Sequence, residues 1–174
     1  MATHVESDHE ERTTMETVAT PLPVTHTLFP RMVRSYAAAT GLIDRLQPVF
    51  ALVLRLYVAR VFFTSGMIKL GNWSGTLGLF RNEYHVPLLP PYLAAVLGTA
   101  AEIGLPVFIV LGLGTRAAAF ALFVFNIVAA TSYPDLSPAG VKDHILWGTL
   151  LLVTLFYGPG KIAVDEWLRR RYAV

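Results

Sequence analysis

Glu102 stands near the middle of an apolar run, Tyr92 to Leu113, where a carboxylate needs either a cation or a proton. The run is long enough to cross a bilayer as a helix. An acid at its centre costs about 2.5–3.5 kcal/mol on insertion scales, so it should face a protein interior or a polar cavity. The preceding apolar block, Phe50 to Leu70, carries Arg55 and Arg60 within it and Lys69 at its outer end. At about 100° per residue, Arg55, Gly66 and Lys69 share a face within about 60°, while Arg60 points about 140° from Arg55. Counted inward from the outer helix ends, Arg60 and Glu102 come out at similar depth, with Arg55 about 7–8 Å deeper. Two pairings follow: Arg60 meets Glu102 directly, or Arg55 leans outward to it and Arg60 faces a neighbouring subunit or lipid headgroups. Either would keep Glu102 charged. Such a pair could equally do no more than hold the bundle in register, and Arg55 could snorkel to the membrane surface.

Ala95, Gly98, Thr99 and Pro106 lie on the Glu102 face at helical spacing, a stripe of small residues that lets a second helix come close. Asn126 lies on a face with Ala119, Leu122, Ala129 and Tyr133, and a lone membrane Asn usually bonds one helix to another. His144, beside Asp143, opens the last apolar block. It either caps that helix or titrates at the mouth of a polar pocket, where it could exchange protons with a bound quinol. With one histidine in the membrane blocks, bis-histidine haem ligation is not available within the chain. The absence of cysteine removes thiolate metal sites, iron–sulfur ligation and disulfide shuttling. His4, His9 and His26 have no metal-site spacing, and no metal is expected.

These residues must be positioned by a membrane domain. The chain is 54% hydrophobic and 15% charged, with a mean hydropathy of +0.52, far from soluble proteins. Apolar residues collect in four blocks: Phe50 to Leu70, Tyr92 to Leu113, Ala117 to Tyr133, and His144 to Tyr157, the last short for a span. The expected fold is all-α, an integral membrane up-down four-helix bundle with a short amphipathic N-terminal helix. Residues 1–27 read as a disordered tail, 28–48 as an interfacial helix ending at Pro48, 49–160 as the bundle and 161–174 as a basic tail. The first apolar block begins too far along the chain for a cleavable signal peptide, so the N-terminus is expected to be retained. The segment from Gly71 to Pro91, with Trp73, Phe80 and Tyr84, is expected in the outer interface.

Net charge is +2 and the isoelectric point near 9.0, but no basic stripe with interleaved aromatics suggests nucleic acid. Arg31, Arg34, Arg45, Arg116, Lys161 and Arg169 to Arg171 fall on one side of the membrane, against Lys69, Arg81 and Lys142 on the other. By the positive-inside rule both termini are cytoplasmic.

The succession of Arg55, Phe62, Phe63, Ser65-Gly66-Met67-Ile68-Lys69-Leu70, Ala101-Glu102-Ile103-Gly104 and Leu111-Gly112-Leu113-Gly114-Thr115-Arg116 resembles the DoxX family over about Leu52 to Gly160. Ala59, Pro106, Arg60 and the long N-terminal stretch depart from that pattern. The resemblance implies a small bacterial inner-membrane protein, with some relatives linked to quinol oxidase or thiosulfate and quinone chemistry. It also implies Arg55, Lys69 and Glu102 as a functional set. The expectation is an accessory subunit of a quinone-linked system that is not catalytic alone and works with a redox partner protein or further copies of itself. It would hold a quinone or similar amphipathic molecule near Glu102, with Arg55, Arg60, Lys69 and Asn126 as further binding residues; Glu102 would accept or donate a proton, Lys69 would supply positive charge, and His144 would relay protons at the outer mouth. The rivals are a non-enzymatic scaffold that docks a partner and, with no internal repeat in so small a chain, a small-solute transporter.

Overall fold

The computed structural model describes residues 28–172, and these are built from helices with no strand. The expected tail at 1–27 and the last two residues lie outside them. Six helices follow in order: α1 (Leu28–Gly71), α2 (Trp73–Asn82), α3 (Pro91–Leu111), α4 (Thr115–Ser132), α5 (Pro138–Tyr157) and α6 (Val164–Tyr172). Among them α1, α3, α4 and α5 are long and apolar enough to cross a membrane. The chain divides into two units, residues 1–40 and 41–174. In the described part of the first, Phe29, Met32, Val33 and Tyr36 are exposed.

Three elements differ from expectation. Helix α1 carries Pro48 inside it instead of ending there. Helix α5 starts at Pro138 and not at His144, because Ser137 caps it by accepting from the Gly140 N–H at 3.1 Å and Pro138 needs no donor in the first turn. Lys142 and Asp143 interrupt the hydropathy there but not the helix, and α5 reaches spanning length. The interfacial segment is itself helical: Asn72 caps α2 by accepting from Gly75 N–H at 3.1 Å, and Phe80 of α2 packs on Ala94 and Ala95 of α3.

Helix α3 therefore rises past the end of α1, its first turns covered by α2. Lower in the bundle one core joins Val58, Ala59 and Phe62 of α1, Ile109 of α3, Ala118, Ala119 and Leu122 of α4, and Leu151 of α5. Phe62 meets Phe125 and Trp147 edge-on, with centroids 6.3 and 5.9 Å away. Outward-facing apolar side chains such as Leu56, Met67, Leu97, Phe120 and Ile145 suit contact with acyl chains.

Gly66 sets the approach of α1 to α3. A Cβ there would stand 2.7 Å from Ile103 Cγ1 and 2.9 Å from Glu102 Cβ, so only glycine permits this contact. Gly66→Val is expected to lower stability by about 1–3 kcal/mol in detergent unfolding. Gly104→Ala, which meets nothing within 4 Å, should leave the midpoint unchanged.

Candidate functional site

A cavity of about 450 Å3 opens among α1, α3, α4 and α5 at the end of the bundle covered by α2 and the 83–90 segment. Its walls are largely apolar and aromatic, with Phe62, Phe80, Tyr84, Phe125 and Trp147. Glu102, 4% exposed, reaches it from α3. Lys69 Nζ lies 2.7 Å from both Glu102 carboxylate oxygens and donates to Ser65 Oγ at 2.8 Å, while Ser65 Oγ donates to Glu102 Oε1 at 3.1 Å. The pair is nearly dry, at 17% and 6% side-chain exposure, so geometry this close is what offsets its desolvation. Pro106 sits one turn beyond Glu102 without a backbone N–H, which leaves the Glu102 carbonyl short of its helical donor.

Across the cavity, Asn126 and His144 hold each other. Asn126 Nδ2 donates to the His144 backbone carbonyl at 2.9 Å, and Asn126 Oδ1 lies 2.8 Å from His144 Nδ1. Gly148, one turn past His144, leaves room for the amide. The imidazole also meets Trp147 edge-on at 5.0 Å. At the mouth, Tyr84 stacks on Phe80 at 4.8 Å and leans on Tyr133 at 5.2 Å. Burial first, then the negative charge of Glu102, raises the Tyr84 hydroxyl above its ordinary pKa. Ser132 lines the same cavity, with a buried Oγ that has no partner.

Of the expected site residues, Lys69, Glu102, Asn126 and His144 converge here, and the two arginines do not. Neither expected pairing forms. Arg60 is exposed and lies nine residues from Lys69, about 180° around the helix. Arg55 shares the Lys69 face but stands about 21 Å further along it. The depth count assumed level helix ends, whereas α3 begins above α1, which brings Lys69 level with Glu102. His144 is not a cap but lies inside α5. Ser65 stood out in the sequence only as the start of the Ser65–Leu70 motif and by its one-turn spacing to Lys69.

Arg55 serves the opposite end of the bundle. It donates to the Ile109 carbonyl in the last turn of α3 at 3.2 Å and to the Ile162 carbonyl just before α6. Gly112 ends α3 at φ 70°, and Gly114 precedes α4 at φ 55° with no side chain to cap it. Asp165 of α6 supplies the cap, accepting from Gly114 N–H at 2.7 Å, Thr115 N–H at 2.9 Å and Thr115 Oγ1 at 2.8 Å. Burial alone would raise the Asp165 pKa; these hydrogen bonds and the Arg55 charge outweigh it and hold the carboxyl below its ordinary 3.8.

This arrangement defines a multi-pass membrane protein with an enclosed polar centre. The DoxX family profile matches residues 50–134. Inner membrane protein YphA of Escherichia coli (strain K12) is 30% identical over 132 residues, which cover 69% of this chain and 91% of that protein. The chain belongs to the DoxX family and is a multi-pass inner-membrane protein. No solved structure matches it.

Lys69→Met strands a buried carboxylate and is expected to cost about 3–5 kcal/mol, while Lys69→Met with Glu102→Leu should recover most of it in a double-mutant cycle. At the other end, Asp165 has a lowered folded pKa, so its contribution is complete above the unfolded value and is lost as pH falls through the folded one. Acidification below about pH 4 should therefore lower the hydrogen-exchange protection factors of α6, taken relative to the intrinsic exchange rate at each pH. Asp165→Ala should do the same at neutral pH, at about 1 kcal/mol.

Proposed function

We propose that the cavity holds a small amphipathic, quinone-like molecule, and that the protein is an accessory subunit of a quinone-linked membrane redox system. One observation carries this reading: a single apolar, aromatic-walled cavity exposes both a buried ion pair and an amide-held histidine. Its volume lies within the range of small-molecule sites, roughly 300–1,000 Å3. The aromatic walls suit a flat ring, and His144 suits proton exchange with it. With no cysteine for iron–sulfur ligation or disulfide exchange, electrons would pass to a partner protein. The DoxX membership and the inner-membrane relative are compatible with that role. The basic residues gathered at the Arg116 end support placing that end, and both termini, in the cytoplasm.

Partner docking is a second reading, and Arg60 favours it. A guanidinium exposed on a spanning helix is costly in lipid, and an acidic group on a neighbouring subunit would relieve that cost.

Titration of the full chain in nanodiscs with decylubiquinone, followed by tryptophan fluorescence, tests the first reading, since Trp147 lines the cavity. Saturable quenching is expected, weakened about tenfold in Glu102→Gln when affinity is measured on the folded fraction, since that variant also leaves Lys69 without its counter-charge. Absence of saturable quenching in the wild type, or unaltered affinity in Glu102→Gln and His144→Gln alike, overturns it. Under the docking reading Arg60→Leu loses a co-purifying partner while quinone affinity holds.

A further inference from the structure

The hydrogen-bond valences at the deep end of the cavity identify the form of ligand it accepts. Lys69 has three N–H donors, and they face three acceptors: Glu102 Oε1, Glu102 Oε2 and Ser65 Oγ. The Ser65 hydroxyl proton goes to Glu102 Oε1. No donor in this network is left for a ligand. Glu102 keeps acceptor capacity, since a carboxylate has about four lone-pair sites and three contacts use them.

His144 is constrained by its partner. A backbone carbonyl only accepts, so the Asn126 atom facing the His144 carbonyl must be the NH2 group. The other Asn126 atom, Oδ1, then only accepts, and the His144 Nδ1 facing it must carry the proton. The reverse orientation of the amide would set two carbonyl oxygens against each other. Neutral His144 is thus the Nδ1–H tautomer, and Nε2, which has no partner among the described residues, keeps its lone pair. Both open polar groups of the deep wall are acceptors. The donors that line the rest of the cavity belong to other residues: Ser132 Oγ, six residues past Asn126 and about 9 Å along α4, the Tyr84 and Tyr133 hydroxyls, and the Trp147 indole N–H.

We propose that the deep end of the cavity selects a ligand presenting a hydroxyl or N–H donor, so that of a quinone couple it takes the reduced, hydroxyl-bearing member. This rests on the reading that the cavity binds such a ring at all. A quinone carbonyl set against His144 Nε2 or the Glu102 carboxylate would meet lone pairs, whereas a quinol O–H bonds to Nε2. A buried site built for a donor discriminates strongly against the analogue that lacks it.

The test compares three ring-matched probes anaerobically on the full chain in nanodiscs: decylubiquinol, decylubiquinone and the dimethyl ether of the quinol. The quinol is expected to bind about tenfold tighter than the other two, and Asn126→Leu, which releases the tautomer, should narrow the gap. Equal saturable affinity for all three overturns the donor selection and leaves the cavity reading standing. No saturable binding of any probe takes both down. Independently of binding, 15N-histidine NMR of the wild type, with His144→Gln assigning the resonance, should show Nδ1 protonated; protonation at Nε2 alone overturns the inference.

Discussion

A lysine and a glutamate share a nearly water-free space between two spanning helices, and the rest of the bundle is arranged to make that tolerable. Removing both charges from water is expensive, and their attraction offsets it only at close range with the remaining lone pairs and protons satisfied. The contact distances of 2.7 Å and the bridging Ser65 hydroxyl meet that condition. Backbone approach at Gly66 brings the carboxylate within reach of a lysine one turn above Ser65. The pair and the helix crossing are one feature.

The two ends of the domain solve different problems with similar chemistry. At the cavity end, charge is neutralised inside the bundle and aromatic walls leave a space beside it. At the opposite end, Arg55 and Asp165 satisfy helix termini: the arginine donates to carbonyls near the ends of α3 and before α6, and the carboxylate accepts from the unbonded N–H groups that open α4. The single turn built on Gly112 and Gly114 is held by one acid of α6, a nine-residue helix too short to span. Arg55 reads from composition as a site residue of the same standing as Lys69, yet its partners are backbone atoms.

Much of the architecture was legible in hydropathy alone, since a spanning helix satisfies its own backbone and must be apolar over its length. The second and third apolar blocks match α3 and α4 closely, and the small-residue stripe around Glu102 is buried as its spacing implies. The blocks fail at amphipathic ends. Lys142 and Asp143 hid the first turns of α5, and the mixed composition of residues 73–82 hid α2. Helix α6 reads as a basic tail because its Arg169 to Arg171 dominate, while its capping acid, Asp165, makes no periodic signal.

Residue types alone place Glu102 in a membrane helix and require for it a cation or a proton, because burial of a carboxylate in an apolar run has few physical outcomes. Helical phase also placed Lys69 and Gly66 on one face. Which cation answers the acid was settled by tertiary packing, because it depends on the relative height of α1 and α3, which meet at Gly66 against Glu102 and Ile103. The alignment of Asn126 with His144 was likewise invisible in the chain. It depends on how far α5 rises beside α4, and therefore on a helix start six residues earlier than hydropathy suggested.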